Sequence, residues 1–401
     1  MALLDSITMI AESGSANSPP RDPAIVIAHR GASGYLPEHT LAAYSTAILQ
    51  GADFIEPDLV MTRDGHLIAR HDNVLDRTTD VAQRPAFAAR RTTRQIDGTA
   101  ITGWFSEDFT LAEIQTLRAV ERIPEVRPAN CRFDGQFTIP TLTDVLRLVR
   151  AMERATGRKI GIYPETKHPT HFQQLDLPLE EPLLETLHRN GFGSGEPVFI
   201  QSFEVANLRK LRSLTRIPLI QLLARQGQPY DVATAGDSLS YDQMATPEGL
   251  AQIATYADGV GPEKNHFLLP LDEAGRLDPI HATDFVQNAH RVGLKVHPYT
   301  FRAENCFLPQ QTIVRAPIPR PQAIWKVSWP FFLPWALTAS SPIIPTSGHG
   351  HAMSWPGNPW IGRTPINDAV RSKTWPRSAN AAGSSAPPKT RPSQRQQRAP
   401  H

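Results

Sequence analysis

Ile25-Val26-Ile27-Ala28-His29-Arg30-Gly31-Ala32, then Phe54-Ile55-Glu56-Pro57-Asp58, then Leu67-Ile68-Ala69-Arg70-His71-Asp72: the reading of these three segments decides the fold. Each is a short β-branched or apolar run that ends in charged or imidazole side chains. Polar residues gathered where strands end are the pattern of an α/β protein, which binds its ligand at the carboxyl ends of parallel strands. Two histidines, an arginine and two carboxylates at such ends suit metal-assisted attack on a phosphate ester. Any one of them alone would mean little.

Outward from these segments, strand-like and helix-like runs alternate from residue 23 to about residue 302. Further strands are predicted within Lys159–Lys167, Pro197–Phe203, Pro218–Leu223, Gly259–Glu263 and Leu294–Phe301. Leu41, Tyr44 and Ile48 recur at helical spacing after Thr40, and Leu142, Val145, Leu146 and Val149 do so after Pro140-Thr141. Thr246-Pro247-Glu248 reads as a capped helix start with proline in the first turn. Strands alternating with helices argue for parallel βα units. One gap breaks the rule. Between Asp58 and Asp72 only Thr62-Arg63-Asp64-Gly65 intervenes, which is turn chemistry. The second and third strands therefore form a hairpin, and the expected fold is an α/β, irregular (β/α)8 TIM-like barrel over residues 23–309. Asn73 to Ile139 is a long insertion, placed at about residue 75 onward, with one short helical run at Leu111–Ala119. It reads as a cap over one end of the barrel.

The overall charge of +2 conceals a split. Residues 1–309 hold 30 Lys and Arg against 38 Asp and Glu, a net −8, whereas residues 310–401 hold 11 basic residues and one acidic one, Asp368, a net +10. That tail also carries 15 of the 37 prolines and six of the seven tryptophans. With no sustained period of two or 3.6, it is expected to be disordered, as are residues 1–22. Positive charge spread over a proline-rich segment reads as solvated, so no nucleic-acid partner is expected. Trp325 to Pro345 is interrupted by Lys326, Pro330, Pro334 and Pro342. A membrane helix needs about 20 mostly apolar residues, so no transmembrane segment is expected. Cys131 and Cys306 are too few for a disulfide framework. Residues 1–20 show neither a basic start nor an apolar run, which makes the cytoplasm the default expectation.

Hydrolysis of a phosphodiester requires that the phosphate charge be neutralised, a nucleophile deprotonated and the leaving alkoxide protonated. Glu56 and Asp58 are two apart and share one face of a strand. Hard oxygen ligands on one face fit a divalent cation such as Ca²⁺ or Mg²⁺, with Ca²⁺ the first choice, and not zinc. Glu165 supplies a third carboxylate at another strand end, with Lys167 two residues on. A pair of strand-end carboxylates by itself reads as solvated surface; three beside histidines at equivalent strand ends do not. His29 and His71 are natural proton carriers, and Arg30 offers a fork for phosphate oxygens. His39, His168, His171 and the Gly348-His349-Gly350-His351 run lack such a context and are read as non-catalytic.

Taken in order, Ala28-His29-Arg30-Gly31-Ala32, Leu36-Pro37-Glu38-His39-Thr40, Glu56-Pro57-Asp58-Leu59, Thr62-Arg63-Asp64-Gly65, His71-Asp72, Ile139-Pro140-Thr141-Leu142, Tyr163-Pro164-Glu165-Thr166-Lys167, Gln201-Ser202-Phe203 and His297-Pro298-Tyr299-Thr300-Phe301-Arg302 form nine blocks over residues 24–305. In these blocks the chain resembles the glycerophosphodiester phosphodiesterases, specifically the bacterial branch with an insertion after the second histidine. The resemblance implies hydrolysis of small-molecule glycerophosphodiesters to glycerol 3-phosphate and an alcohol. It implies acid/base work by His29 and His71, a metal on Glu56, Asp58 and Glu165, and phosphate neutralised by Arg30 and Lys167. It further implies a pocket lined by Gln201, Phe203 and Tyr299. Two alternatives stay open: a lysophospholipid or phospholipase-D-like phosphodiesterase on the same barrel, and an inactive phosphodiester-binding product of a truncated gene. Relatives of this kind often work in the periplasm or outside the cell. They continue with a further helix and a closing segment, whereas this chain departs from them at Glu304 to Pro309. A change of reading frame or a sequencing error near codon 309 is the expected cause, and an incomplete barrel the expected result. Headgroup preference, the division of labour between the histidines and the oligomeric state remain open.

Overall fold

The computed structural model describes residues 24–272, 274–276 and 283–309. The two expected disordered segments, the Trp325–Pro345 stretch and His349-Gly350-His351 all lie outside the described residues. Within them, the strands form in the expected places but are shorter. They are β1 (Ile27–His29), β2 (Phe54–Glu56), β3 (Asp58–Met61), β4 (Leu67–Ala69), β5 (Thr92–Ile96), β6 (Thr99–Gly103), β7 (Gly161–Ile162), β8 (Glu165–Thr166), β9 (Ile200–Ser202), β10 (Leu219–Leu223), β11 (Gly259–Pro262) and β12 (Lys295–Val296). β2 and β3 are one stave broken at Pro57, and β7 and β8 one stave broken at Tyr163-Pro164. Proline has no N–H to give the ladder, so each break falls where pairing must lapse.

Pairing follows chain order. β1 lies parallel to β2, β2 to β7, β3 to β8, β8 to β9, β9 to β10, β10 to β11 and β11 to β12. Seven parallel staves in sequence order, with helices between most of them, are the arrangement of a (β/α) barrel. β4 runs antiparallel to β3 with Leu59 opposite Ala69, which is the expected hairpin and the source of the irregularity. Among the described residues no strand joins β12 to β1, so the ring is open at that seam.

Helices cover the outside. Helix Leu142–Thr156 begins in a capping box of Thr141 and Asp144 and ends at Gly157, whose φ of 67° is one glycine holds without strain. It buries Leu142, Val145, Leu146 and Val149, the face read from the sequence. Each such side chain contributes about 1.5–3 kcal/mol. Helix Leu41–Leu49, capped by Thr40, buries Ala43, Tyr44, Ala47 and Ile48, the last three against the same core. Among the described residues no helix is long and apolar enough to cross a membrane.

Inside the barrel, inward side chains recur every second residue. Phe54, Tyr163 and Ile220 form a buried cluster with Ile25, Ile27 and Phe199 packed against it. Gly161 leaves room for the Phe54 ring: a Cβ there would lie 2.1 Å from it. Two residues beyond Ile27, Phe54, Tyr163 and Phe199 come His29, Glu56, Glu165 and Gln201. Two further along come Asp58, Lys167 and Phe203. The alternation thus carries the interior from an aromatic floor to an ionisable layer.

The insertion holds more structure than the sequence reading gave it. The helix ends at Ile114 and not at Ala119. A hairpin of β5 and β6 precedes it, turning at Asp97 and Gly98 with φ of 46° and 78°. Asp-Gly between two strand-like runs is the strongest short-range hairpin signal, so this element was readable from the residues.

Candidate active site

The loop after β1 doubles back tightly. Arg30 and His39 both hold left-handed backbone, with φ of 61° and 56°, and the His39 N–H donates to the Arg30 carbonyl at 3.1 Å. Gly31 is required between them: its φ is 81°, and a Cβ would lie 2.7 Å from the Ala43 carbonyl carbon. This turn aims both side chains at Asp58. Arg30 Nε lies 3.4 Å from Asp58 Oδ2, and His39 Nε2 lies 3.0 Å from the same oxygen. His39 Nδ1 is 2.7 Å from the Tyr44 hydroxyl. The tyrosine O–H donates to Nδ1, which leaves Nε2–H to donate to Asp58 and fixes one tautomer.

Glu56, Asp58 and Glu165 converge as their spacing predicted. One oxygen from each lies within 4.8 Å of the other two, and all three residues are buried. Crowding of like charge out of water has distinct results for each. Burial, with the charges of Asp58 and Glu165, pushes Glu56 well above the usual carboxylate range. Glu165 is pushed up to about 7 by burial, against the pull of Lys167. Burial acts on Asp58 too, but His39 and Arg30 overcome it and hold that carboxyl well below its ordinary value. Asp58 Oδ1 is buried with no hydrogen-bond partner. Glu56 Oε1 accepts from Gln201 Nε2 at 2.7 Å.

Lys167 Nζ joins this cluster to the second histidine. It donates to Glu165 Oε1 at 2.8 Å and lies 3.3 Å from His71 Nε2. His71 Nδ1 is 2.6 Å from Asp72 Oδ1, so Nδ1 carries the proton and Nε2 presents its lone pair. Burial, with the charges of Lys167 and Arg30, lowers His71 to about 3. His29 is also held well below its ordinary value, by burial and by Arg30. Both imidazoles are therefore neutral at pH 7. Phe203 stands beside Lys167, whose Nζ is 5.6 Å from the ring centre, and packs edge-on with Tyr299 at 6.1 Å. The Tyr299 hydroxyl donates to the Leu223 carbonyl at 3.0 Å.

The ten residues singled out from the sequence thus lie in or just beyond β1, β2, β3, β4, β8, β9 and β12, while β10 and β11 contribute none of them. His39, expected to be non-catalytic, lies beside the site as a brace: its Nε2 is 3.0 Å from Asp58 Oδ2. Nothing in its local sequence says so, because the contact spans 19 residues through a backbone turn. Glu38, Asp72 and Arg122 were assigned no role, yet all three brace the site. Arg30 Nη1 donates to Glu38 Oε2 at 3.1 Å, and Arg122 donates to Asp72 Oδ2 at 2.6 Å. His168 and His171 pair instead with Asp97 and Glu107, away from the acidic centre.

Comparison with known proteins adds an independent line. Residues 29–317 match the model of the glycerophosphoryl diester phosphodiesterase family. A glycerophosphodiester phosphodiesterase of Arabidopsis thaliana is 36% identical over 295 residues, covering 70% of this chain and 75% of the plant protein. One from Haemophilus influenzae is 33% identical over 311 residues, covering 73% of this chain and 82% of its own. A solved phosphodiesterase from Oleispira antarctica, in complex with the product sn-glycerol-3-phosphate, is 21% identical with a TM-score of 0.44, covering 70% of this chain and 85% of that one. A match from the first histidine through the last described stave, on a chain whose motif residues meet at one centre, places this protein in the glycerophosphoryl diester phosphodiesterase family.

Proposed function

We propose that the chain hydrolyses glycerophosphodiesters to glycerol 3-phosphate and an alcohol, with a divalent cation held by Glu56, Asp58 and Glu165. The observation that carries this is the buried carboxylate trio, whose oxygens lie within 4.8 Å of one another. Crowding three buried carboxylates is unfavourable, and a cation among them would relieve it; the buried Asp58 Oδ1, without a hydrogen-bond partner, is free to serve as a ligand. An all-oxygen donor set favours Ca²⁺, with Mg²⁺ the alternative. When bound, the ion would supply charge to neutralise the phosphate oxygens.

The remaining work falls to the chain's own groups. Arg30 and Lys167 face the same centre and neutralise the phosphate. His71, with Nδ1–H fixed on Asp72, offers Nε2 as the base that takes a proton from the attacking hydroxyl, whether water or the glycerol 2-hydroxyl. His29, neutral in the free site, takes up a proton once the anionic ester lies beside it and passes that proton to the departing alkoxide. Gln201 holds Glu56 in place, and Phe203 with Tyr299 forms an apolar wall beside the phosphate.

The test is release of glycerol 3-phosphate from glycerophosphocholine by the purified chain, with lysophospholipid assayed in parallel. Activity should vanish with chelator and return with Ca²⁺ more fully than with Mg²⁺. His29→Ala and His71→Ala should each cost about 10²–10⁴ in kcat with the fold intact. Turnover that survives chelation, or near-normal kcat in either variant, overturns the reading.

A further inference from the structure

We infer that Arg122, carried by the insertion, is a positioning residue that ties the phosphate clamp to the imidazole base. The inference rests on the functional reading above. Its basis is one unbroken chain of charge-assisted hydrogen bonds. Arg30 Nη1 donates to Glu38 Oε2 at 3.1 Å. The other oxygen, Oε1, accepts from Arg122 Nε and Nη2 at 3.0 and 2.7 Å. Arg122 Nη1 reaches Asp72 Oδ2 at 2.6 Å, and Asp72 Oδ1 takes the His71 Nδ1 proton at 2.6 Å. Each carboxylate gives one oxygen to a residue facing the acidic centre and the other to Arg122.

Arg122 is suited to this by chemistry and by support. Only a guanidinium has donors on separate nitrogens, held in one plane, that can grip two carboxylates at once; an ammonium is a single point. The backbone around it is locked. Val120 N–H donates to the Thr78 carbonyl at 3.0 Å, Glu121 N–H to Asp134 at 2.7 Å and Ile123 N–H to Glu121 at 3.0 Å. Asn130 then ties Glu121 Oε2 to the Ser33 carbonyl in the loop after β1, at 2.8 and 3.1 Å. Glu38 is buried and Arg122 nearly so, at 4% and 16% side-chain exposure, so water cannot replace these bonds freely. Without Arg122, Glu38 keeps Arg30 but is free to rotate, and Asp72 loses the contact that orients its second oxygen. A displacement of about 1 Å in catalytic geometry can cost 10²-fold in rate.

A purely structural role would be that of an anchor for the cap, and Arg90 provides that comparison. It pairs with Glu113 at 2.5 Å inside the insertion and touches neither Glu38 nor Asp72. The test compares Arg122→Ala, Arg122→Lys and Arg90→Gln with the wild-type chain. Two readouts are used: kcat for glycerol 3-phosphate release, and the low-field Nδ1 proton of His71, assigned by its loss in His71→Ala. The expected result is a loss of about 10- to 100-fold in kcat for Arg122→Ala, partial restoration by free guanidinium, and disappearance of the Nδ1 signal. Arg90→Gln should lower the melting temperature but keep both kcat and the signal. Should Arg122→Ala not fold, Arg122→Lys should lose at least tenfold at an unchanged melting temperature. The inference fails if the Arg122 variants stay within threefold of wild type, if Arg90→Gln loses as much, or if guanidinium restores nothing. The proton signal reports on Arg122 even if the wild-type chain releases no glycerol 3-phosphate, an outcome that would sink only the functional reading.

Discussion

At the scale of single residues, the site divides into groups that would touch an ion or a phosphate and groups that aim them. Asp58 makes the distinction clear. Its Oδ2 is shared by His39 and Arg30, and its Oδ1 is left for a ligand. Replacing His39 by alanine removes the brace without removing a ligand. Such a variant should bind Ca²⁺ about 10- to 100-fold more weakly in a calorimetric titration, yet recover most of its kcat once the ion is saturating. Unchanged affinity would mean that Asp58 is held by Arg30 alone. The residues nearest the chemistry were legible because strand periodicity is local: Glu56 and Asp58, or Glu165 and Lys167, share a face by their spacing in two. His39, Glu38 and Arg122 were not. Their partners lie 19, 84 and 50 residues away in sequence, and no short-range pattern encodes such contacts.

At the scale of elements, prolines set the breaks between β2 and β3 and between β7 and β8, and capping side chains such as Thr40 and Thr141 start helices. Both are local signals, which is why the staves and the helix Leu142–Thr156 could be placed from the residues. The insertion was harder to read. Its Asp97-Gly98 turn was visible, but its flanking Thr-rich runs are exposed and alternate weakly. Its hold on the barrel comes from scattered side chains, such as Arg127, which pairs with Glu304 and donates to the Ser33 carbonyl. Gly161 lies close against the Phe54 ring, where a Cβ would come within 2.1 Å of it. Gly161→Ala forces that ring out of place and should destabilise the protein by about 1–3 kcal/mol in urea melts. The damage should reach Glu56, two residues beyond Phe54, as weaker cation binding. An alanine variant of wild-type stability would show that the floor is looser than its packing suggests.

At the scale of the whole molecule, stability and cation binding are linked through the buried carboxylates. Glu165 ionises near 4.5 when unfolded and near 7 in the fold. Between those values the folded chain binds more protons than the unfolded one, so cation-free stability falls as pH rises from about 4.5 to 7. A bound cation removes the repulsion, and ligand at about 100 times its Kd adds roughly 2.7 kcal/mol. The melting temperature should therefore rise more on adding Ca²⁺ at pH 8 than at pH 5.5. Glu56→Gln should melt higher than wild type in chelator at pH 8 and gain less from the ion. An equal gain at both pH values would mean that no carboxylate in the trio titrates as described. The alternation of strands and helices was enough to read the barrel order, since each βα unit is a local signal, but ring closure is a property of the whole chain. Among the described residues the seam between β12 and β1 is open, and the residues after 309 that would bear on it lie outside those described. Arg30 and His39 sit in left-handed backbone, which costs an L-residue about 1–2 kcal/mol at each position. A laboratory search for heat-tolerant variants would be drawn to glycine or asparagine at these two sites. The hardiest survivors would then be catalysts that lack the Arg30 grip on the ester or the His39 brace on Asp58, so any such campaign should select on turnover and not on melting.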